Sequence, residues 1–436
     1  MDAEAKLRTI AVDMHLEPDG DAPVAGRPPS CGGERLETLH PTTVGPGRGR
    51  GRTATLSDPH ERQQAVTNIA AQTLAGRGLR GRALDRKARS LGIFDAVMPG
   101  GRRAPLLKTL LTSVCERNCF YCPFRAGRDY RRATFRPEEM AAVFDQMARA
   151  RLVDGLFLSS GMVAGGVSTQ DSLIATADIL RNRLGYRGYL HVKIMPGADK
   201  DQVFRVMQLA DRVSINLEAP NSERLTRLAP TKAFLSELLQ PLKWVEEIRQ
   251  AEPPHGAFKR RWPSTVTQFV VGAAGESDLE LLQTTGPLVH DLRLARVYFS
   301  PFSPVPDTPL ENQPAASTLR EQRLYQAFFL FRDYGFCLEE MPFDPAGDLP
   351  LDEDPKMACA RANLLHTPIE LNSADRRHLL RVPGIGPRSA DAILRARRQG
   401  SLRSLRDLRA IGVSAKRAAD FVVLNGHRPA RQLRLF

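Results

Sequence analysis

The chain has 436 residues, of which 42% are hydrophobic and 25% are charged, and this average composition excludes a wholly disordered, collagenous or disulfide-scaffold protein. The formal net charge of +13 favours an acidic partner such as nucleic acid. The N-terminus lacks the pattern of a secretory signal and the sequence has no run of about 18 apolar residues, which predicts a cytoplasmic protein.

The first part of the chain is predicted to lack a core. Residues 1–58 are rich in Gly, Pro, Thr and Arg, as in the PGRGRGR run at 46–52, and show no apolar period. We therefore expect a disordered basic tail. Residues 59–104 are expected to form an N-terminal helical extension, because Val66, Ile69 and Leu74 recur at helical spacing.

Residues 105–316 alternate short apolar runs with amphipathic helices, the pattern of a parallel sheet with crossover helices. Six strands predict an α/β fold with an incomplete barrel, a partial (βα)6 arrangement whose site lies at the C-terminal ends of the strands. The predicted strands are 106–112, 155–159, 189–195, 212–217, 266–271 and 294–299. The predicted buried stripes of the first two crossover helices are Met140, Val143, Phe144 and Met147, and Leu173, Ala177, Leu180 and Leu184.

Three of the six cysteines lie together directly after the first predicted strand, as Cys115, Cys119 and Cys122 in the run CERNCFYC. Three thiolates on one short loop can bind three irons of a cubane cluster and leave the fourth iron open. The alternatives are unrelated thiols or a structural zinc site, which needs a fourth protein ligand and usually shows paired C-x-x-C units. The remaining cysteines have no partner at ligand spacing and are predicted to be plain thiols: Cys31, Cys337 and Cys359.

The C-x3-C-x2-C spacing, with Tyr121 before the last cysteine, resembles the signature of the radical SAM superfamily. The resemblance implies a [4Fe-4S] cluster on the three cysteines, whose open iron is chelated by S-adenosylmethionine (SAM). The resemblance continues along the barrel in three further runs. LSSGM stands at the family's Gly-Gly-Glu turn, and RVSINLEAP stands at the strand that holds the SAM ribose and carboxylate. QFVVGAAGE resembles the motif that contacts the adenine. The SAM contacts implied in this way are Tyr121, Ser159, Ser160, Gly161, Lys193, Ser214, Asn216, Glu218 and Gly272.

Side chains alternate between the two faces of a strand, which predicts where some of these residues point. Ser214, Asn216 and Glu218 are expected to share one face of their strand. Lys193 alternates with apolar neighbours, so it points either toward a helix or into the barrel, where it would hold a carboxylate or a phosphate.

The last part of the chain is predicted to be a separate module at 367–436, joined to the barrel by a helical connection and an acidic, Pro-rich linker at 317–366. From residue 367 onward, fifteen basic residues stand against five acidic ones. The run VPGIG at 382–386 lies between two helical periods, the first capped by Asn372 or Ser373, and AIG at 410–412 repeats it. This pattern closely resembles a tandem helix-hairpin-helix domain, a small all-α family that binds DNA backbones without reading sequence. The DNA contacts implied by the resemblance are Pro383, Gly384, Ile385, Gly386, Arg388, Gly412 and Lys416.

Together the two resemblances imply a DNA modification or repair radical SAM protein. Such an enzyme would take an electron from a donor such as flavodoxin or ferredoxin, cleave SAM to a 5'-deoxyadenosyl radical, and abstract hydrogen from a component of DNA. Two alternatives remain open: an RNA-modifying radical SAM enzyme, and a non-catalytic DNA-binding scaffold with a degenerate barrel. The three intact cysteines argue against the scaffold, whereas Ser-Ser-Gly in place of Gly-Gly-Glu argues for it.

Overall fold

The computed structural model of the chain describes residues 1–14, 88, 90–97 and 103–429. Most of the expected helical extension at 59–104, and residues 15–58 of the expected tail, lie outside the described residues. Across the described ranges, no helix is both long and apolar enough to cross a membrane.

Helix α1 (Ala3–Met14) packs beside the central sheet. Leu7, Ile10 and Met14 are buried in the main hydrophobic core, and the Lys6 ammonium forms an ion pair with Glu139 at 2.6 Å. The expectation of a disordered tail is therefore wrong for residues 3–14. These apolar residues lie three and four positions apart, which is helical spacing, but the Gly- and Pro-rich composition of the residues that follow dominates the sequence pattern.

A seven-stranded sheet in the sequential order β1 to β7 forms the centre of the fold and curls into a half-barrel. Strands β2 to β7 are parallel, and β1 is antiparallel to β2. The six predicted strands are confirmed, with ends shifted by up to three residues, and β1 is an additional edge strand. The strands are β1 Ile93–Val97, β2 Arg103–Leu110, β3 Gly155–Ser159, β4 Tyr189–Lys193, β5 Arg212–Ser214, β6 Ser264–Val271 and β7 Arg296–Pro301.

Helices connect the parallel strands and cover the outer face of the sheet, as right-handed crossovers require. The two predicted stripes are confirmed, except that Leu184 is only half-buried. Pro137 is the first residue of its helix, a position where a missing N–H costs nothing. The helices are α2 Pro137–Arg149, α3 Gly165–Asp178, α4 Lys200–Leu209, α5 Ser222–Leu228, α6 Gln240–Ala251, α7 Asp278–His290 and α8 Thr318–Tyr334.

The C-terminal part of the chain has a second, smaller hydrophobic core. Two pairs of short helices surround it, and a short parallel strand pair joins its beginning to its end. Its elements, with the helix that leads into it, are α9 Pro355–Leu364, β8 Ile369–Glu370, α10 Arg376–Leu379, α11 Pro387–Ala396, α12 Leu405–Ala410, α13 Ala415–Ala418 and β9 Val422–Val423.

The cap of helix α10 differs from the prediction. Asp375 is the N-cap, and its carboxylate accepts a hydrogen bond from the His378 backbone N–H at 2.8 Å. The expected cap at Asn372 or Ser373 is wrong because Asn372 has another role: its side-chain amide donates to the Leu402 carbonyl at 3.0 Å and accepts from the Leu402 N–H at 2.9 Å. Asn372 thus ties the first helix pair to the second.

Candidate functional site: a cysteine loop at the barrel mouth

The loop that carries the three cysteines follows β2 at the C-terminal edge of the sheet, as the sequence predicts for a barrel site. Backbone hydrogen bonds join it to the neighbouring connections. The Glu116 N–H donates to the Met162 carbonyl at 2.8 Å, and the Phe120 N–H donates to the Leu228 carbonyl at 2.7 Å. The loop is therefore held in place from the ends of two other elements, β3 and α5.

The three thiols differ in their exposure to solvent, and two of them accept hydrogen bonds from backbone N–H groups. Cys119 is buried, whereas Cys115 and Cys122 are partly exposed. Backbone N–H groups donate to two of the sulfurs, from Met162 to Cys115 and from Phe124 to Cys122, each at 3.4 Å. Burial raises the pKa of the Cys119 thiol. A bound metal reverses this effect, because a coordinating thiol is deprotonated.

The potential metal ligands of the loop are its three cysteines. Among the residues that the structure describes, no group of three or more His, Cys, Asp or Glu side chains is gathered closely enough to hold a single metal ion. A structural zinc ion takes four protein ligands that converge on one point, whereas each cysteine of a cubane cluster binds a different iron. The donor set, three cysteines on one loop with N–H groups donating to sulfur, fits the iron–sulfur cluster.

Arginine side chains hold the cysteine loop in place through hydrogen bonds, and these contacts were not predicted from the sequence. Arg132 donates to the Arg125 carbonyl at 3.0 Å and to the Tyr130 hydroxyl at 2.9 Å. Arg128 reaches the Pro306 carbonyl, in the connection after β7, at 3.1 Å. The connections after the first and last parallel strands therefore meet across the mouth of the half-barrel. No spacing in the sequence indicates these contacts, because all but one of the partners named here are backbone carbonyls.

Glu218 and Lys232 form a buried ion pair next to the cysteines. The Lys232 ammonium lies 3.0 Å from Glu218 Oε1, and their side chains are 10% and 3% exposed. Burial alone would raise the pKa of Glu218, but the positive charges of Lys232 and Lys193 outweigh burial and lower it. Burial likewise opposes the charge of Lys232, yet the nearby Cys119 and Glu218 raise its pKa. Lys232 was not predicted as a site residue.

The backbone at Glu218 departs from the expected strand geometry. Strand β5 ends at Ser214, and Glu218 has a φ of 66°, in the left-handed region that non-glycine residues rarely adopt. Ser214 lies opposite Val266 of β6, whereas Glu218 lies opposite Phe269, so the register slips by one residue between them. The expectation that Ser214, Asn216 and Glu218 share one strand face is therefore wrong. The turn still brings the Glu218 carboxylate close to Tyr121, and this neighbour contributes to the lowered pKa of Glu218.

The remaining predicted SAM contacts lie at the ends of neighbouring strands. Ser159 and Ser160 are buried at the end of β3, and Ser160 Oγ has no hydrogen-bond partner within the described structure. Lys193 is the last residue of β4 and is partly exposed. Asn216 is also partly exposed, and Gly272 follows β6 and donates its N–H to Glu276.

The backbone at Gly161 lies so close to the backbone at Val114 that there is no room for a side chain at this position. A Cβ atom at this position would lie 2.2 Å from the Val114 carbonyl oxygen, just before Cys115. The Gly161 N–H also donates to the Thr112 carbonyl at 2.7 Å. Gly161 thus allows the β3 connection to pack directly on the start of the cysteine loop.

The two glycine turns of the C-terminal part face each other. Gly384 has a φ of 84°, and a Cβ there would lie 2.6 Å from the Ser414 carbonyl oxygen of the second turn. Pro383 and Ile385 are buried in the small core. The other predicted DNA contacts are accessible to solvent: Gly386 is partly exposed, and Arg388, Gly412 and Lys416 are exposed.

Comparison with known proteins identifies the superfamily of the barrel domain. Residues 109–284 match the family model of the Radical SAM superfamily. The chain thus carries a radical SAM domain and is a radical SAM enzyme, a class that uses a [4Fe-4S] cluster, SAM and an electron donor. No curated protein matches the chain.

Several solved structures are similar to the chain at low identity. Methylornithine synthase is 14% identical over 64% of this chain and 70% of its own, with a TM-score of 0.41. The [FeFe]-hydrogenase maturase HydG from Carboxydothermus hydrogenoformans is 14% identical over 63% and 64%, with a TM-score of 0.40. A radical SAM methyltransferase from Sphaerobacter thermophilus is 14% identical over 63% and 86%, with a TM-score of 0.39.

Proposed function

We propose that Cys115, Cys119 and Cys122 bind a [4Fe-4S] cluster and that SAM binds at its open iron. The observation that carries this proposal is the cysteine loop itself, which lies at the C-terminal edge of β2 and is fixed by backbone bonds from β3 and α5. When bound, the cluster supplies the electron that cleaves SAM reductively. An electron donor such as flavodoxin or ferredoxin supplies the protein with that electron.

The residues around the loop bind and orient the ligand in this proposal. Glu218 Oε2 is buried and has no hydrogen-bond partner within the described structure, so it can accept from a ligand hydroxyl or amino group. Lys232 holds the other carboxylate oxygen at 3.0 Å and fixes its direction. Ser160 Oγ is a second buried polar atom with unused hydrogen-bonding capacity. The proposed SAM contacts are Tyr121, Ser159, Ser160, Gly161, Lys193, Ser214, Asn216, Glu218 and Gly272.

We further propose that the substrate is DNA, held through its backbone by the C-terminal part. Two turns with glycine at positive φ, Gly384 and Gly412, each stand between two short helices. Helix α11 begins at Pro387, and backbone N–H groups at a helix start attract phosphate. The exposed Arg388 and Lys416 add positive charge beside the two turns. The proposed contacts are Pro383, Gly384, Ile385, Gly386, Arg388, Gly412 and Lys416.

The test is anaerobic reconstitution of the full chain with iron and sulfide, followed by measurement of 5'-deoxyadenosine with SAM and a reductant. The proposal expects 5'-deoxyadenosine only when the cluster is present, and more of it when duplex DNA is added. Product that rises with RNA but not with DNA would move the substrate to RNA. A protein that binds duplex DNA and yields no 5'-deoxyadenosine would be the non-catalytic scaffold.

A further inference from the structure

Helix α8 spans the half-barrel from one edge of the sheet to the other. It begins beside the mouth, where Ala316, two residues before the helix, donates its N–H to the carbonyl of Phe302, the residue after β7, at 2.8 Å. It ends at the opposite edge, where Arg332 donates to the carbonyl of Ala295, the residue before β7, at 3.2 Å. The helix has 17 residues, so its two ends are about 25 Å apart.

The side chain of Arg381 attaches the C-terminal part to the far end of α8. Its guanidinium donates to the Tyr334 and Gly335 carbonyls at 3.0 and 2.8 Å. It also forms two hydrogen bonds with the Glu340 carboxylate, at 2.5 and 2.8 Å, and the arginine side chain is only 11% exposed. Charge-assisted bonds of this kind are stronger than neutral ones. Arg381 therefore fixes the C-terminal part at the edge of the sheet opposite the cysteine loop.

The first glycine turn, at 382–386, lies directly beside this attachment. The Lys356 ammonium donates to the Ile385 carbonyl within the turn at 2.5 Å, and it lies 4.6 Å from the Tyr334 ring centroid. A Cβ atom on Gly386 would lie 3.3 Å from the Tyr334 hydroxyl. Tyr334 packs against both hydrophobic cores. The turn is therefore packed against the end of α8 and is fixed relative to the barrel.

The second glycine turn is held at the same end of the barrel. Arg417, in helix α13 directly after that turn, forms an ion pair with Asp354, the N-cap of α9. Helix α9 in turn packs on α8 and carries Lys356. Both turns are therefore tied to the end of α8 that is remote from the mouth.

We propose that the substrate is a DNA duplex long enough to span the barrel, held by the glycine turns at one edge of the sheet and reacting at the other. This inference rests on the proposed function, from which it takes the cluster and the DNA backbone contacts. Arg381 is the positioning residue that fixes the separation of the two sites.

The length of α8 sets the minimum length of this substrate. The turns and the cysteine loop are about 25 Å apart along the helix. Phosphates of one DNA strand follow each other at about 3.4 Å along the duplex axis, so the reacting nucleotide lies at least about seven positions from the phosphates that the turns hold. A free nucleotide or a very short duplex cannot occupy both sites at once.

The test follows 5'-deoxyadenosine formation by the full chain with its cluster, at saturating concentrations of a short and a long duplex. The short duplex has about 6 base pairs and the long one about 24, and the short one is closed at one end by an ethylene glycol linker so that it stays paired. Because the short duplex is only about 20 Å long, we expect it to bind without raising the rate. The long duplex should raise the rate.

Arg381→Gln separates positioning from binding, because it removes the attachment and leaves the proposed DNA contacts in place. The affinity for the long duplex and the 5'-deoxyadenosine formed without DNA should not change. The rate with the long duplex should fall by at least about tenfold, since a reactant displaced by an ångström reacts far more slowly. Small-angle X-ray scattering should show a larger radius of gyration than for the wild type. Arg377→Gln, the same charge change at an exposed position of α10, should alter none of these quantities.

The outcomes separate this inference from the proposed function. Equal stimulation by the short and the long duplex would retain the DNA substrate and overturn the span alone. If 5'-deoxyadenosine forms but neither duplex raises its rate, both the DNA substrate and the span are overturned, while the radical SAM chemistry stands. An Arg381→Gln protein with the wild-type radius of gyration and the wild-type rate on the long duplex would overturn the positioning role of Arg381.

Discussion

The barrel and the C-terminal part present charge in opposite ways. In the barrel, the charged groups beside the cysteine loop are buried and paired with each other, as in the contact of Lys232 with Glu218. In the C-terminal part, candidate contacts such as Arg388 and Lys416 are exposed and lie close to the turns they serve. Substitutions in the barrel should therefore cost cofactor binding and stability, whereas those in the C-terminal part should change mainly the salt-dependent affinity for a polyanion.

The largest effect is expected from the cysteines. Replacement of Cys115, Cys119 or Cys122 by Ala should abolish the cluster, because the remaining two sulfurs cannot hold three irons. Anaerobically reconstituted wild type should contain about four irons per chain and each variant close to none. Cys337→Ala, at an exposed cysteine far along the chain from the loop, is the matched control and should retain the iron. Full iron in any of the three loop variants would contradict the assignment.

The second prediction concerns the buried pair. Lys232→Met should reduce the free energy of unfolding by about 3–5 kcal/mol, because it leaves the Glu218 carboxylate buried without its closest counter-charge. The double variant Lys232→Met with Glu218→Gln should recover much of that loss. Urea unfolding of the protein without its cluster measures both. Equal stabilities of the single and double variants would show that the two charges are not coupled.

The third prediction tests the close approach at Gly161. Gly161→Ala should destabilise the protein by about 1–3 kcal/mol, because its Cβ would meet the Val114 carbonyl oxygen. The same change at Gly286, within helix α7 and with no other part of the chain near it, should alter stability by less than about 1 kcal/mol, because the gain in helix propensity is opposed by the ring of the following Pro287. Thermal unfolding of the two variants compares them directly. If the Gly161→Ala and Gly286→Ala proteins were equally stable, the connection after β3 and the start of the cysteine loop would be able to move apart without loss of stability.

A fourth prediction concerns Lys356, which joins α9 to the first glycine turn. Its ammonium donates to the Ile385 carbonyl at 2.5 Å, and burial lowers its pKa to about 7. Because the unfolded chain keeps this proton up to a higher pH, the group adds stability as the pH rises above 7, by at most about 1.4 kcal/mol per pH unit. Lys356→Met should remove that increment, measured as the difference between the two unfolding curves at pH 7 and pH 9. The same slope in both proteins would assign the pH dependence to other groups.

The smallest effect belongs to the exposed arginine. Arg388→Gln should lower the slope of log affinity against log salt by about 0.9 for duplex DNA, the value for one lost phosphate contact. Arg205→Gln, on the outer helix α4 and paired with Asp178, should leave the slope unchanged. Fluorescence anisotropy across a salt titration provides both values. Identical slopes for wild type and Arg388→Gln would exclude Arg388 from the phosphate contacts.

Local patterns in the sequence predicted the elements of the barrel but not the contacts between them. The apolar runs at 155–159 and 266–271 became β3 and β6 because hydrophobic strands separated by amphipathic helices have few other ways to pack. Strand β1 was not predicted, since it is antiparallel to β2 and no amphipathic helix lies between the two strands in the sequence. The Lys232 contact with Glu218 depends on a left-handed residue and a register slip, which no periodicity contains.

The most direct test of the cluster at the barrel mouth is the electron paramagnetic resonance spectrum of the reduced, reconstituted full chain, recorded with and without SAM. Binding of SAM at an open iron predicts a [4Fe-4S] signal whose g-values change when SAM is added. The change should be weaker in Glu218→Gln, which retains its iron but loses the carboxylate. A signal that is indifferent to SAM, or a protein that contains one equivalent of zinc and no iron-dependent absorbance, would contradict the account.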